Sequence, residues 1–413
     1  MNFPTKEQIQ QAIDGYISSL VTPLRELNQK IHEAPELAYE EHKAHDVICN
    51  FLQSQGIPTT RHAYGLSTAF EALVGRTPGR CINFNAEYDA LPEIGHACGH
   101  NLIATASVTG FVALAFVIRR FGLPGQAQLL GTPAEEDGGG KIDLIQAGAY
   151  RLPDISLMMY TNIHRHPVSE EEFTAHGVHG IGGRSSISCY DLIAVYKGVS
   201  AHAADSPWDG VNALDAVVSA YNNISMLRQQ IQPTERIHGA ILQAPTITNA
   251  IPELTRVKYT IRSPTVERTR ALGARVRRCL EAGALATGCE IELEETRLYA
   301  NLVVNAPLCK AFQEYMGDQG EQIWSSDDTP VSASTDQGNV SHIVPALHAI
   351  IGIPVKEGAR NHTHQFTFAA GTDEAHNRTI TAGKALAMTG WKVLMDDEFY
   401  QDVKAAFTTD RQM

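Results

Sequence analysis

The feature that most constrains the fold is a short stretch in which a strand, a turn and an apolar helix carry metal-binding side chains. The apolar run Cys81 to Glu87 predicts a buried strand that ends in carboxylates. Residues His96 to Leu102 then place a thiol and an imidazole just before an apolar helix, Leu102 to Arg120. Side chains at i and i+2 point apart on a helix, so Cys98 and His100 can converge only from a turn or an extended segment. This spacing indicates metal-ligand chemistry at the start of the helix, with Asn101 suited to its N-cap.

A second strand delivers a pair of glutamates. The run Ala127 to Thr132 is strand-like, and Glu135 and Glu136 follow it, with three glycines two residues further on. Such a run is often a solvated acidic turn. A metal hydrolase, however, needs one carboxylate on the metal and another to deprotonate water, and neighbouring residues leaving a strand can point in those two directions.

Alternating strands and helices predict an α/β fold with a central mixed sheet. Two N-terminal helices are expected, Lys6 to Glu33 and Ala38 to Gln55. Residues 185–298 change character and read strand, helix, strand, strand, helix, strand, which is the ferredoxin-like order. The predicted domains are therefore a catalytic domain of residues 1–184 and 299–413 and an inserted domain of residues 185–298.

Composition narrows the class of protein. The chain has 413 residues, is 43% hydrophobic and carries a formal net charge of -13 without a Lys/Arg cluster, which argues against nucleic acid and anionic lipid as partners. The apolar stretch Gly110 to Ile118 is shorter than a bilayer requires, so no membrane association is expected. Seven scattered cysteines fit a reducing compartment, and the expected location is cytoplasmic.

The sequence resembles dinuclear zinc metallopeptidase family 20, the group that includes aminoacylase-1, glutamate carboxypeptidase and the auxin-conjugate amidohydrolases. It is most similar to the aminoacylase-1-like, peptidase-domain-containing branch, whose relatives hydrolyse dipeptides and N-acyl amino acids. Six motifs occur in the family's order: Ala86-Glu-Tyr-Asp-Ala-Leu-Pro92, His96-Ala-Cys-Gly-His-Asn101, Thr132-Pro-Ala-Glu-Glu136, Ser200-Ala-His-Ala-Ala204, Ser334-Thr-Asp-Gln-Gly-Asn-Val-Ser341 and Asn361-His-Thr363. The resemblance extends to Ile31-His-Glu-Ala-Pro-Glu-Leu37 and Trp208-Asp-Gly-Val-Asn-Ala-Leu214.

The resemblance implies a role for individual residues. Metal ligands are expected at four positions: Cys98, His100, Glu136 and His362. Glu135 would be the general base, and Asp89 would orient a ligand imidazole. In the inserted domain, a lid and dimerisation domain in this family, His202 would stabilise the oxyanion. Asn249 and Arg262 are candidates for binding the substrate carboxylate, because guanidinium matches it as a two-pronged donor.

One ligand position departs from the family pattern. The family places a further ligand at the end of the strand Asp154 to Tyr160, where this sequence has tyrosine. A phenol keeps its proton until about pH 10 and is a poor zinc ligand. His164 or His166 could take the place if the strand end is extended, with His166 slightly preferred because His166-Pro167 matches the family.

The predicted function is metal-dependent hydrolysis of a dipeptide or N-acyl amino acid, a small amide with a free carboxylate. The expected cofactor is one or two zinc ions, although other divalent metals would fit, and the expected assembly is a homodimer through the inserted domain. Two alternatives remain open at this point. One is a metal-poor cleft protein with a binding or regulatory role, and the other is a biosynthetic enzyme that forms or rearranges an amide.

Overall fold

A computed structural model describes residues 3–163, 177–356 and 359–410. The α-helices are α1 Lys6–Ser19, α2 Val21–Glu33, α3 His42–Ser54, α4 His100–Phe121, α5 Gly140–Gln146, α6 Ala213–Leu227, α7 Val266–Thr287, α8 Ala306–Asp318, α9 Gln337–Ser341, α10 His364–Ala370, α11 Asp373–Met395 and α12 Asp397–Asp410. The strands are β1 Thr59–Arg61, β2 Phe70–Arg76, β3 Cys81–Ala86, β4 Gly125–Gly131, β5 Ile155–Ile163, β6 Val178–Ile181, β7 Arg184–Ser186, β8 Ser188–Lys197, β9 Ala201–His202, β10 Arg236–Gln243, β11 Ala250–Ile251, β12 Leu254–Ser263, β13 Glu290–Glu295, β14 Gln322–Trp324, β15 Asp327–Val331 and β16 Ala346–Ile353.

The first of two compact units is built on an eight-stranded mixed sheet. It comprises residues 1–185, 302–330 and 335–413. The strand order is β1-β2-β4-β3-β5-β16-β6-β14, and the four strands β4, β3, β5 and β16 run parallel. Since β3 and β4 are parallel neighbours, their carboxyl ends meet at one edge of the sheet, which brings the loops that follow them together.

The second unit comprises residues 186–301 and 331–334. Its antiparallel sheet has the order β10-β12-β8-β13, and the chain order is strand, helix, strand, strand, helix, strand. Helices α6 and α7 pack on the sheet through a separate apolar core. This small α/β sheet is the ferredoxin-like arrangement that the sequence predicts.

Helix α4 is the central helix of the first unit. It is long and apolar enough to cross a membrane by length and composition, so the expectation that no apolar stretch reaches that length was wrong. Small residues such as alanine and threonine extend the stretch beyond its aliphatic centre. Nearly the whole helix is buried against β3, β4, β5 and α11, which identifies it as a core helix.

The N-terminal helices differ from the predicted bounds. The chain breaks at Leu20 because Pro23 lacks an N–H group and its ring clashes with the carbonyl four residues earlier, so α1 and α2 are separate helices. Helix α3 begins at His42 rather than Ala38, and Tyr39 in the intervening segment has a φ of 63°. Residues 38–41 therefore form an irregular segment that is free to contact other loops.

The start of α4 also differs from the prediction. The helix begins at His100, and the N-cap is Gly99 with φ 77°, not Asn101. The glycine accepts this left-handed conformation without strain and lets the chain turn into the helix two residues earlier. Asn101 is the second helical residue, and its amide donates to the carbonyl of Ala370 at 2.9 Å.

Candidate active site

The first donor cluster gathers side chains from three loops of the first unit. Cys98 precedes α4, Glu136 follows β4 and His362 precedes α10, and one ligand atom from each lies within 4.8 Å of the others. His362 has a φ of 63°, and its N–H donates to the carbonyl of Ala97 at 2.9 Å. A non-glycine residue held in this conformation at a site indicates that its direction is set by the surrounding structure.

A second cluster adjoins the first. It contains Glu87 after β3, His100 at the start of α4 and Glu135 after β4, all buried. Nε2 of His100 lies 3.7 Å from a carboxylate oxygen of Glu87, 3.7 Å from one of Glu135 and 3.9 Å from Oε1 of Glu136. Neighbouring glutamates thus point to different clusters, as the strand-end pattern predicts. Burial and the charges of Glu87 and Glu136 raise the pKa of Glu135.

The donors fit a divalent metal ion. Two donors on one tetrahedral zinc ion lie roughly 3.3 to 3.6 Å apart, given bond lengths of about 2.0 to 2.3 Å. Nε2 of His100 and Oε1 of Glu136 are both buried and have no hydrogen-bond partner among the described residues. Leaving a buried polar atom unpaired is costly, and metal ions bound at the two clusters would satisfy both atoms.

Asp89 connects the two clusters. One of its oxygens lies 3.0 Å from Nδ1 of His100, and the other accepts the N–H of Glu136 at 2.9 Å. Although burial acts to raise it, the pKa of Asp89 is lowered by His100 and by that N–H group. An acceptor at Nδ1 turns Nε2 of His100 towards the second cluster, the geometry expected of a residue that orients a ligand imidazole.

Tyr160 occupies the edge of the first cluster. Strand β5 continues past it to Ile163, so the tyrosine lies within the strand. Its hydroxyl is 3.1 Å from Sγ of Cys98 and accepts a hydrogen bond from the amide of Asn361 at 3.0 Å. Burial and the neighbouring Cys98 raise the pKa of Tyr160, so the phenol stays protonated. The alternative ligands His164 and His166 lie outside the described residues.

Sequence reasoning missed a buried ion network beside the second cluster. Nζ of Lys141 lies 2.5 Å from Oε1 of Glu87 and 2.6 Å from Oδ1 of Asp336, and all three side chains are buried. Burial acts to lower the pKa of Lys141, but Asp336 and Glu87 raise it, so the ammonium stays charged. The sequence did contain one signal that Glu87 belongs to the site. It stands two residues before Asp89 at a strand end, and alternate residues of a strand share a face.

The remaining candidates belong to the second unit. His202 on β9 pairs with Ala250 on β11, and the carbonyl of Asn249 accepts the N–H of Ala203, so His202 and Asn249 share one short ladder. Nδ1 of His202 accepts the N–H groups of Ala204 and Asp205, which leaves the proton of the neutral ring on Nε2.

Arg262 lies apart from that ladder. It stands near the far end of β12, where its guanidinium lies 3.3 Å from Nε2 of His238 and donates to the hydroxyl of Ser334 at 3.1 Å.

Comparison with known proteins identifies the family. The model of peptidase family M20/M25/M40 matches residues 84–387, more than half of the chain. The chain belongs to this family. It is similar to the Xaa-Arg dipeptidases of Mus musculus and Homo sapiens, at 39% identity in each case over 92% of this chain and 88% of the relative.

A solved structure shows the same fold. A dinuclear metal-binding M20 peptidase from Bacillus subtilis superimposes with a TM-score of 0.66 at 21% identity, over 91% of this chain and 99% of that chain. The chain is therefore an M20 metallo-hydrolase, as the motifs predict, and its relatives include dipeptidases and N-acyl amino acid deacetylases.

Proposed function

We propose that this M20 hydrolase is a zinc-dependent dipeptidase that cleaves Xaa-Arg dipeptides. The observation that best supports this reaction is the pair of adjoining donor clusters. Glu135 belongs to one cluster and Glu136 to the other. The substrate class is supported by 39% identity to two mammalian Xaa-Arg dipeptidases over almost the whole chain.

The residues of the two donor clusters have separate roles in metal binding and proton transfer. Cys98, Glu136 and His362 would hold one zinc ion, and Glu87 and His100 would contribute to a second. When bound, zinc makes water more acidic and polarises an amide carbonyl. Glu135 accepts the proton of the attacking water and passes it to the leaving amine.

Residues of the second unit bind the substrate. His202 donates from Nε2 to the oxyanion that develops on the scissile carbonyl, since its Nδ1 is already an acceptor. Asn249, beside it on the same ladder, and Arg262, near the far end of β12, are separate candidates for binding the C-terminal carboxylate of the dipeptide, and the guanidinium of Arg262 matches a carboxylate best.

The test is turnover by the purified, zinc-loaded protein. Ala-Arg, Ala-Ala, Ala-Glu and N-acetylalanine would be compared by kcat/KM, with product amino acids measured by chromatography. We expect Ala-Arg to be the best substrate. A preference for N-acetylalanine, or no cleavage of any dipeptide, would contradict the proposal.

The same assay tests the base. We expect Glu135→Gln to lower kcat by about 10² to 10⁴ with unchanged zinc content, because the amide keeps the shape but accepts no proton. The matched control is Asp137→Asn, which removes one charge from an exposed residue of the same turn and should leave kcat unchanged. More than about a tenth of the activity in Glu135→Gln would rule out its role as base.

The assembly and location form part of the proposal. Strand β10 is at an edge of its sheet and carries exposed Ile241 and Leu242, and exposed Val218, Tyr221 and Met226 lie on α6. An exposed edge strand with apolar side chains favours pairing, and we infer a homodimer through this unit. All seven cysteines are free thiols, which supports a cytoplasmic location.

A further inference from the structure

We propose that Glu41 is a positioning residue, which fixes the turn that carries Glu135 and Glu136. This inference rests on the proposed function, because it concerns the residues assigned to catalysis and metal binding there. Glu41 belongs to the irregular segment before α3, a part of the chain to which no role has yet been assigned.

The contact is direct and buried. Oε1 of Glu41 accepts the N–H of Ala134 at 2.8 Å, and the two residues are 93 positions apart in the chain. Glu41 is fully buried. Ala134 has a φ of 59°, a conformation that alanine disfavours, so the surrounding contacts must hold it.

Two carboxylates hold the amides on either side of the proposed base. Glu41 accepts from Ala134, and Asp89 accepts from Glu136. The carbonyl of Ala134 is held as well, because it accepts the N–H of Gly139 at 2.8 Å. The backbone that carries Glu135 is therefore fixed at both ends, which sets the direction of its side chain towards His100.

The neighbours of Glu41 contact the same loops. The carbonyl of Glu36 accepts the N–H of Ala90 at 2.8 Å, next to Asp89. A Cβ atom at Gly138 would lie 2.4 Å from the ring of Tyr39, so the two groups are closely packed. The segment from Glu36 to Glu41 thus joins the loops after β3 and β4, which explains why this irregular stretch replaces the first turn of the expected helix.

The hydrogen bond does not depend on ionisation. Burial and the charge of Asp89 raise the pKa of Glu41 to about 7, while the N–H of Ala134 acts to lower it. Tyr88, whose own pKa is raised by burial, is another titratable group near Glu41. A protonated carboxyl still accepts through its carbonyl oxygen. An amide at this position would do the same, and this property supplies the test.

The experiment compares Glu41→Ala with Glu41→Gln. We would measure kcat and KM for Ala-Arg, zinc content by mass spectrometry, and amide hydrogen exchange across residues 130–140. We expect Glu41→Ala to lower kcat by about 10- to 100-fold with KM and zinc content nearly unchanged, and to speed exchange at Ala134 by at least about tenfold, because the base is displaced while its chemistry remains. Glu41→Gln should restore both readouts to within about threefold.

The controls separate this idea from a general loss of structure. Glu40→Ala removes the adjacent, exposed carboxylate and should change neither readout. Glu41→Met keeps the length and burial without the acceptor, and replaces Glu41→Ala if that variant does not fold.

The proposal is overturned if Glu41→Gln loses as much activity as the variants without an acceptor, or if those variants keep normal kcat and exchange. If the parent protein cleaves no dipeptide, the proposed function fails, whereas exchange at Ala134 still decides the role of Glu41.

Discussion

At the scale of single residues, the first donor cluster gives a direct test of metal binding. Cys98→Ser and His362→Ala each remove one donor, and we expect each to lower zinc stoichiometry and weaken affinity. Tyr160→Phe is the matched control, since it removes a protonated hydroxyl beside Cys98 and should leave zinc content nearly unchanged. The measurement is zinc per chain after dialysis against a weak chelator. If both donor variants retain zinc like the parent, the metal lies elsewhere.

The site residues that were predicted from sequence lie in contiguous motifs, whereas the residues that were missed depend on partners far away in the chain. Cys98, His100, Glu135 and Glu136 stand in contiguous motifs beside strand ends, where residue type and spacing already suggest a ligand set. Glu41 was not predicted, because a buried glutamate is recognised only by its partner, 93 positions away. Lys141 depends in the same way on Asp336, 195 positions away, and no local pattern reveals such a pairing.

At the scale of secondary structure, apolar runs predicted the strands well. The starts of helices were predicted less well, because they depend on single residues such as proline and on tertiary contacts. Runs such as Cys81 to Glu87 are buried on both faces of a parallel sheet and are distinctive in sequence. The break at Leu20 follows from Pro23, a local signal, but the late start of α3 follows from the contacts of Glu41 and Tyr39. Tertiary contacts therefore override helical periodicity at the start of α3, whereas a local residue ends α1.

The crossing of α4 and α11 supplies a prediction for packing. A Cβ atom at Gly383 would lie 2.6 Å from Cβ of Thr109 and 2.8 Å from the carbonyl oxygen of Ala106. We expect Gly383→Ala to destabilise the first unit by about 1 to 3 kcal/mol, because overpacking outweighs the better helix propensity of alanine.

The matched control for this packing is Gly317→Ala on α8. Nothing lies within 4 Å of a Cβ atom there, so the variant should be neutral or more stable by up to about 1 kcal/mol. Urea denaturation of both variants checks the pair. Equal midpoints would show that the helices can separate enough to accept the methyl group.

At the scale of the whole molecule, the chain forms two units, each with its own apolar core. The ferredoxin-like order was readable from sequence because the four main strands and two helices of the second unit follow one another within one continuous segment, residues 186–301. Residues 331–334 of the second unit come from a distant part of the chain, and sequence continuity alone assigned them to the catalytic domain. Domain bounds drawn along the chain miss such returning segments.

The inferred homodimer leads to the last prediction. Ile241 on β10 and Tyr221 on α6 are both about half exposed, and their burial in a self-complementary interface would favour association. We expect the parent protein to sediment near twice its chain mass of 45.0 kDa and Ile241→Lys to sediment as a monomer, because an ammonium on the edge strand opposes its own copy across a two-fold axis.

Val21→Lys is the control, since Val21 is equally exposed but belongs to the first unit. A monomeric parent protein would rule out the dimer. Dissociation by Val21→Lys and not by Ile241→Lys would place the interface elsewhere on the chain. Since each copy carries a formal net charge of -13, raising the salt concentration should strengthen the dimer by screening the repulsion between copies.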